Sequence, residues 1–260
     1  DIEELVEPEA RLLVIHVPEG LGIHTTSEGV AKIRVGKDCQ PLTGSMLTRR
    51  MAASGETDRT AMPAPGTTIA DLDPEYIRQF QRTIATEGRK PELARLQSDE
   101  LLGNLGLIRH GEVSLAAILL LGRSAAMARW ATQHELVFIR YVTQTRPDVR
   151  HNLKGPIIPL IDKLRELLEA HLRMTSLEAR GFGELSIPDL TWWVARESIL
   201  NALVHRDYFL QQSIYVELRQ DRVEISSPGG FIGGISADNI LRHPPVRRNP
   251  LLADVLEAAG

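Results

Sequence analysis

A chain of 260 residues that is 43% hydrophobic and 25% charged has apolar material for about two globular domains, which excludes disorder throughout. Thirty basic against thirty-four acidic residues leave a net charge of −4, so any nucleic-acid contact has to come from a local basic patch rather than a general positive field. The single cysteine, Cys39, excludes an internal disulfide, and no Cys/His pair has zinc spacing, which points to a reducing cytoplasm.

The acidic first nine residues lack the layout of a signal peptide and read as a solvated start. They run into residues 12–17, which read as a buried strand, and residues 30–35 alternate as a half-exposed strand does. Residues 52–70, rich in Ala, Gly, Ser, Thr and Pro, have no apolar period and read as a linker. The resulting division is 1–55, a linker at 56–72, and 73–260.

Asp73-Pro74-Glu75 carries a capping carboxylate, a proline at the first helical position and an acid at the positive dipole end, and predicts a helix to about Thr86. A short helix starts at Ser98 and closes near Gly106. The apolar run 113–121 is far short of the roughly 20 residues that span a bilayer and reads as core. Residues 135–142 read as a strand, and residues 157–172, with Leu160, Leu164, Leu167 and Leu168 on one face, as an amphipathic helix. Residues 101–121 lack the basic surplus of a DNA-reading helix-turn-helix. A helical pattern precedes Gly260, and the abrupt start and stop suggest a fragment of something longer.

The pattern sharpens after Pro188. Residues 191–203 predict a helix on which Glu197 and Asn201, four apart, leave the same face. His205-Arg206-Asp207-Tyr208 ends it, strands follow at 213–219 and 222–226, and Ser227-Pro228-Gly229-Gly230 closes the run. A glycine-rich turn lets backbone amides approach a base or phosphate. The same residues also suit a solvated helix face, a helix C-cap cluster and a tight turn, and Arg247-Arg248 before Asn249-Pro250 suits a solvated loop as well as a phosphate contact.

The ordered run from Glu197 to Tyr208, followed two strands later by residues 225–230, resembles the divergent GHKL-type ATP-binding module at the C-terminus of RecG-related proteins. The resemblance implies an α+β protein ending in an incomplete GHKL-like sandwich, with an N box at about 188–208. It implies that Asn201 holds Mg²⁺, that Glu197 is the general base in any hydrolysis, and that His205, Asp207, Pro228, Gly229 and Gly230 line an ATP site. Two departures stand out. The adenine-reading Asp expected before the turn is replaced by Ser226-Ser227, and the second glycine-rich lid is expected beyond Gly260.

Residues 14–18, His24 and Lys32-Ile33-Arg34-Val35-Gly36 resemble the second half of a Schlafen AlbA-type DNA-binding domain. That resemblance implies phosphate contacts by Lys32, Arg34 and Lys37, which would position the protein without reading bases. A solvated strand face is the alternative. Together the resemblances imply an ATP-binding, nucleic-acid-associated transcriptional regulator, cytoplasmic, with DNA as the expected nucleic acid and a homo-oligomer as a further expectation. A scaffold with a degenerate nucleotide site is the alternative. A Schlafen-like nuclease would need acidic residues upstream, and a helicase motor would need a phosphate loop of the Gly-x-x-x-x-Gly-Lys-Ser/Thr type, which this chain lacks.

Overall fold

The structure, a computed structural model, describes all residues except 1, 8–9, 16–22, 45, 48–49, 52–56, 173, 180–182 and 189. The chain divides into a smaller unit, residues 1–57 with 231–243, and a larger one, residues 58–230 with 244–260. Its helices and mixed sheets make it an α+β protein, as the sequence implies. No helix among the described residues is long and apolar enough to cross a membrane.

The smaller unit contains two antiparallel hairpins, β1 (Ile2–Glu7) with β2 (Ala10–Ile15) and β3 (Lys32–Val35) with β4 (Asp38–Pro41). The acidic start is therefore paired into a strand, with Glu3 and Glu4 exposed to solvent as the sequence reading has them. β2 lies where a buried strand is predicted, but Leu12, Leu13 and Ile15 are 51%, 73% and 65% exposed. An apolar run reports strand propensity and not what covers the strand, and here the pairing with β1 supplies hydrogen bonds without burial. Residues 16 and 17 of the predicted strand, and residues 16–18 of the AlbA-like segment, lie outside the described residues.

The larger unit is built on a four-stranded sheet ordered β12-β11-β7-β8: β7 (Glu135–Tyr141), β8 (Pro147–Lys154), β11 (Ile214–Leu218) and β12 (Val223–Ser226). β11 runs parallel to β7 and the other neighbours are antiparallel. A parallel pair needs a long crossover. Here it runs from β7 through β8, α5 (Ile157–His171), the hairpin β9 (Met174–Ala179) with β10 (Gly183–Pro188), and α6 (Trp192–Val204) to β11.

Period-2 burial shows how the sheet uses its sequence: in β11, Ile214, Val216 and Leu218 are buried while Tyr215 is exposed. The inward residues join Leu136 and Phe138 of β7, Leu160, Leu164 and Leu168 of α5, and Ile199 and Leu203 of α6 in one core. β8 escapes sequence reading because it is polar and mostly exposed, with Arg150 and Asn152 pairing beside a buried β7 and Asp148 skipped at a bulge.

The helical part of the same unit begins with α1 (Pro74–Glu87), where Asp73 Oδ1 accepts from the amide of Glu75 at 2.9 Å, as its cap signal predicts. Then come α2 (Ser98–Asn104), the short hairpin β5 (Ile108–Arg109) with β6 (Glu112–Val113), α3 (Leu115–Leu121) and α4 (Ser124–Trp130). All seven residues of α3 are buried, which explains why the 113–121 run is apolar on every side.

From Asp58 onward the segment read as a linker is packed instead. Thr60, Ala64 and Leu72 are buried, the Ala64 amide donates to the Val113 carbonyl at 2.8 Å, and Leu72 bridges Gly122. Its small and polar residues are fixed by backbone hydrogen bonds and local caps, which leave no apolar period to detect. Asp58 also caps α7 (Pro250–Ala259): its Oδ2 accepts from the Leu251 amide at 2.7 Å, while Oδ1 accepts from the Thr60 amide and hydroxyl. α7 buries Leu251, Leu252, Val255 and Leu256 in the larger core.

Candidate functional site

The candidate site grows from α6. Ala195, Ile199, Ala202 and Leu203 turn inward, which leaves Glu197, Ser198 and Asn201 on the exposed face. The predicted four-residue spacing brings its two side chains together: Asn201 Nδ2 donates to Glu197 Oε1 at 3.2 Å. The amide oxygen of Asn201 then remains as a ligand oxygen beside a carboxylate. That donor set suits a Mg²⁺ held mainly by phosphates and waters, and no cluster of three His, Cys, Asp or Glu that could cage a metal unaided occurs among the described residues.

α6 ends at His205, whose amide donates to the Asn201 carbonyl at 2.9 Å. Desolvation, and after it the guanidinium groups of Arg248 and Arg247, hold the His205 imidazole below its ordinary pKa. Deprotonated at neutral pH, it carries no charge to offer a phosphate.

Asp207 organises the segment after the helix. Its amide donates to the Pro228 carbonyl at 2.8 Å, its Oδ1 accepts from the Phe209 amide at 2.9 Å, and its Oδ2 faces Arg248 Nη1 at 3.4 Å. Arg248, only 5% exposed, also donates through Nη2 to the Gly230 carbonyl at 2.7 Å. Asp207, Pro228, Gly229, Gly230 and Arg248 thus form one locked turn.

Gly229 sits at φ +116°, and a Cβ there would lie 3.0 Å from Asp207 Cβ, so glycine is required by both conformation and space. Ser227, one of the two serines in place of the expected adenine-reading Asp, is committed as well: its hydroxyl donates to the Ala202 carbonyl of α6 at 2.6 Å. Asn249 completes the frame by donating from Nδ2 to the carbonyls of Val204 and Arg206 at 2.7 and 2.8 Å.

Several sequence expectations change with this geometry. Arg248 is not in a solvated loop; it is the buried partner of Asp207, whereas Arg247 stays exposed and pairs with Asp254 and Glu257. Arg206 is not a surface cation facing the helix dipole. It is 3% exposed and donates to the carbonyls of Gln133 and Gln212 at 2.9 and 2.7 Å. Local sequence around the N box could not give these roles, because the partners lie 41 and 73 residues away. In the smaller unit Lys32, Arg34 and Lys37 are all exposed. Lys32 and Arg34 share one face of β3, Lys37 sits in the turn, and Arg34 Nε donates to the Gly36 carbonyl at 3.1 Å.

The sequence has two family matches. Residues 48–137 match a domain family of unknown function, which covers the packed segment after Asp58 and the helical part up to the start of β7. Residues 211–260 match the family described as "Putative ATP-dependent DNA helicase recG C-terminal". That stretch contains β11, β12, the glycine turn, Arg248 and α7, and it begins after Glu197 and Asn201. No curated protein matches the chain. The crystal structure of the DIP2311 protein from Corynebacterium diphtheriae is similar over 100% of this chain, with 22% identity and a TM-score of 0.65, and the chain spans 51% of that protein's length. The chain therefore shares its fold with half of the corynebacterial protein, and its C-terminal residues 211–260 are similar to the RecG C-terminal module.

Proposed function

We propose that the larger unit is a nucleotide-binding module of the GHKL type, serving a nucleic-acid-associated regulator. The observation that carries this reading is the pair Glu197 and Asn201. It is a carboxylate and an amide in mutual contact on the one exposed face of an otherwise buried helix, next to a rigid glycine turn. Asn201 is the Mg²⁺ ligand in this reading. Glu197 is the general base in the same reading, and any hydrolysis would run through its carboxylate, one helical turn from Asn201. The locked turn of Pro228, Gly229 and Gly230 forms the wall of the ATP site, and Asp207 with Arg248 keeps that wall in shape. Lys32, Arg34 and Lys37 of the smaller unit supply phosphate contacts to DNA, and the protein is cytoplasmic. A bound Mg²⁺ would contribute charge neutralisation of the phosphates.

The test is calorimetric titration of ATP with Mg²⁺ into the intact protein and into Asn201→Ala. Asn201 is exposed and makes one 3.2 Å side-chain bond, so the substitution should leave unfolding within about 0.5 kcal/mol of wild type while abolishing binding. Equal binding in both proteins removes Asn201 from the site.

One observation favours a second reading, a scaffold without nucleotide. Two side-chain oxygens at the glycine turn are already used, Ser227 by Ala202 and Asp207 by Phe209 and Arg248, and Ser226 offers a hydroxyl in place of the carboxylate that would read an adenine amino group. No heat of ATP binding in wild type, together with retention of partner assembly by Asn201→Ala, supports that alternative.

A further inference from the structure

The four-stranded sheet of the larger unit ends on β8, and among the described residues no strand pairs beyond it. An edge strand presents unpaired N–H and C=O groups, which proteins either blunt or use for pairing. β8 is blunted only at its ends. Pro147 and the bulge that skips Asp148 interrupt the ladder at one end, where Asp148 is drawn onto Arg140, and Lys154 stands at the other. Between them residues 149–153 keep a regular register against residues 136–140 of β7.

Opposed residues share a face of the sheet. Val149, His151 and Leu153 lie on the face of Arg140, Phe138 and Leu136, and Arg150, Asn152 and Lys154 on that of Ile139, Val137 and Glu135. Val149 and Leu153 pack against the main core but are only half-buried, while Arg150, His151 and Asn152 are exposed. The open stretch of the edge therefore ends the core on an apolar pair that nothing fully covers.

The pattern of the strand says what fits there. An antiparallel copy of β8 related by a two-fold axis sets one residue opposite itself and continues both faces of the sheet. With Arg150 on the axis, two guanidinium groups stand directly opposed. With Asn152 there, Arg150 opposes Lys154 twice. Axes nearer either end leave most of the stretch unpaired. With His151 there, Val149 opposes Leu153 twice on the inner face, Arg150 opposes Asn152 twice on the outer face, and Lys154 comes to the end that carries Asp148. That register opposes no like charges, and each copy covers the other's apolar pair.

We propose that β8 is the contact of a two-fold homodimer, in which a second copy of this chain pairs β8 with β8 about His151 and joins the two four-stranded sheets into one. The contact shares no residue with Glu197, Asn201 or the glycine turn and stands whether or not a nucleotide binds.

The experiment is sedimentation equilibrium of the intact protein over a concentration series, run on wild type, Asn152→Lys, Arg150→Glu and the double variant. Wild type should show a monomer–dimer equilibrium. Asn152→Lys sets a lysine opposite Arg150 twice and should weaken dimerisation by about tenfold. It should fold, because Asn152 is exposed and its contact with Glu135 suits a lysine as well. Adding Arg150→Glu turns both repulsions into attractions and should restore the affinity to within about threefold of wild type. In a Cys39→Ser background, which removes the exposed native thiol, His151→Cys should cross-link on mild oxidation. Its opposed Cα atoms would lie about 4.5–5.5 Å apart, within disulfide reach, whereas Arg150→Cys should stay uncross-linked. A monomer at every concentration, a dimer untouched by Asn152→Lys, no recovery in the double variant, or cross-linking by Arg150→Cys in place of His151→Cys would each overturn the assignment.

Discussion

Replacing Gly229 with alanine probes the rigidity of the turn beside α6. At φ +116° an L-residue is strained by about 1–3 kcal/mol. The added Cβ would stand 3.0 Å from Asp207 Cβ and 3.4 Å from both the Asp207 amide nitrogen and Arg248 Nη2. Crowding there disturbs the buried ion pair and adds about 1 kcal/mol of overpacking. The sum is a loss of about 2–4 kcal/mol, or about 1–2 M in urea midpoint at a slope near 2 kcal/mol/M. Tryptophan fluorescence is the natural probe, because all three tryptophans, Trp130, Trp192 and Trp193, belong to the larger unit. Gly230→Ala is the control, since a Cβ at that exposed position meets nothing within 4 Å, and it should shift stability by under about 0.5 kcal/mol. Two alanine variants that unfold within about 0.5 kcal/mol of one another would refute the view that Gly229 is held by conformation and space.

Asp207→Asn should cost about 2 kcal/mol by leaving Arg248 buried without a counterion, and a double-mutant cycle with Arg248→Met should show positive coupling; strict additivity would argue against the pair. Asp58→Ala removes the cap of α7 and the bonds to Thr60, so urea unfolding should report a loss of about 1–2 kcal/mol. His134 gives a pH signature. Its folded pKa, about 3, lies below the ordinary 6.5, so the unfolded chain binds more protons between these values. The associated stability is complete above pH 6.5 and is lost as pH falls toward 3, with a slope of up to about 1.4 kcal/mol per pH unit. His134→Phe should flatten the stability curve in that window, and an unchanged slope would show that His134 is not a neutral buried group.

Legibility in the sequence followed the range of the interactions. The cap of α1, the apolar stripe of α5 and the alternation of β11 are written within a few residues each, and the structure has those elements where periodicity put them. The Glu197 and Asn201 contact was legible for the same reason, being one helical turn. β8 was not, because an exposed edge strand with Asp148, Arg150 and Asn152 has no apolar signal to read. Nor was the packed stretch from Asp58, whose order comes from backbone bonds to Val113 and Gly122. The roles of Arg206 and Arg248 depend on Gln133 and Asp207, far away in sequence, and a cation in a polar run gives no sign that it will be buried.

The larger unit is discontinuous in sequence, closing only when the chain returns after the 231–243 excursion into the smaller unit. Leu252 and Val255 of α7 sit 0% and 1% exposed in its core, and Asn249 ties the end of α6 to that return. A gene fragment cut after Gly230, where the glycine turn invites a boundary, would encode a core with one wall missing. During synthesis, the last seventeen residues of this chain, 244–260, must leave the ribosome before the fold that carries Asn201 can close. A nascent chain carrying an intact N box still lacks the wall of the core that α7 supplies, and protease protection of α6 should arrive with α7 rather than with α6 itself.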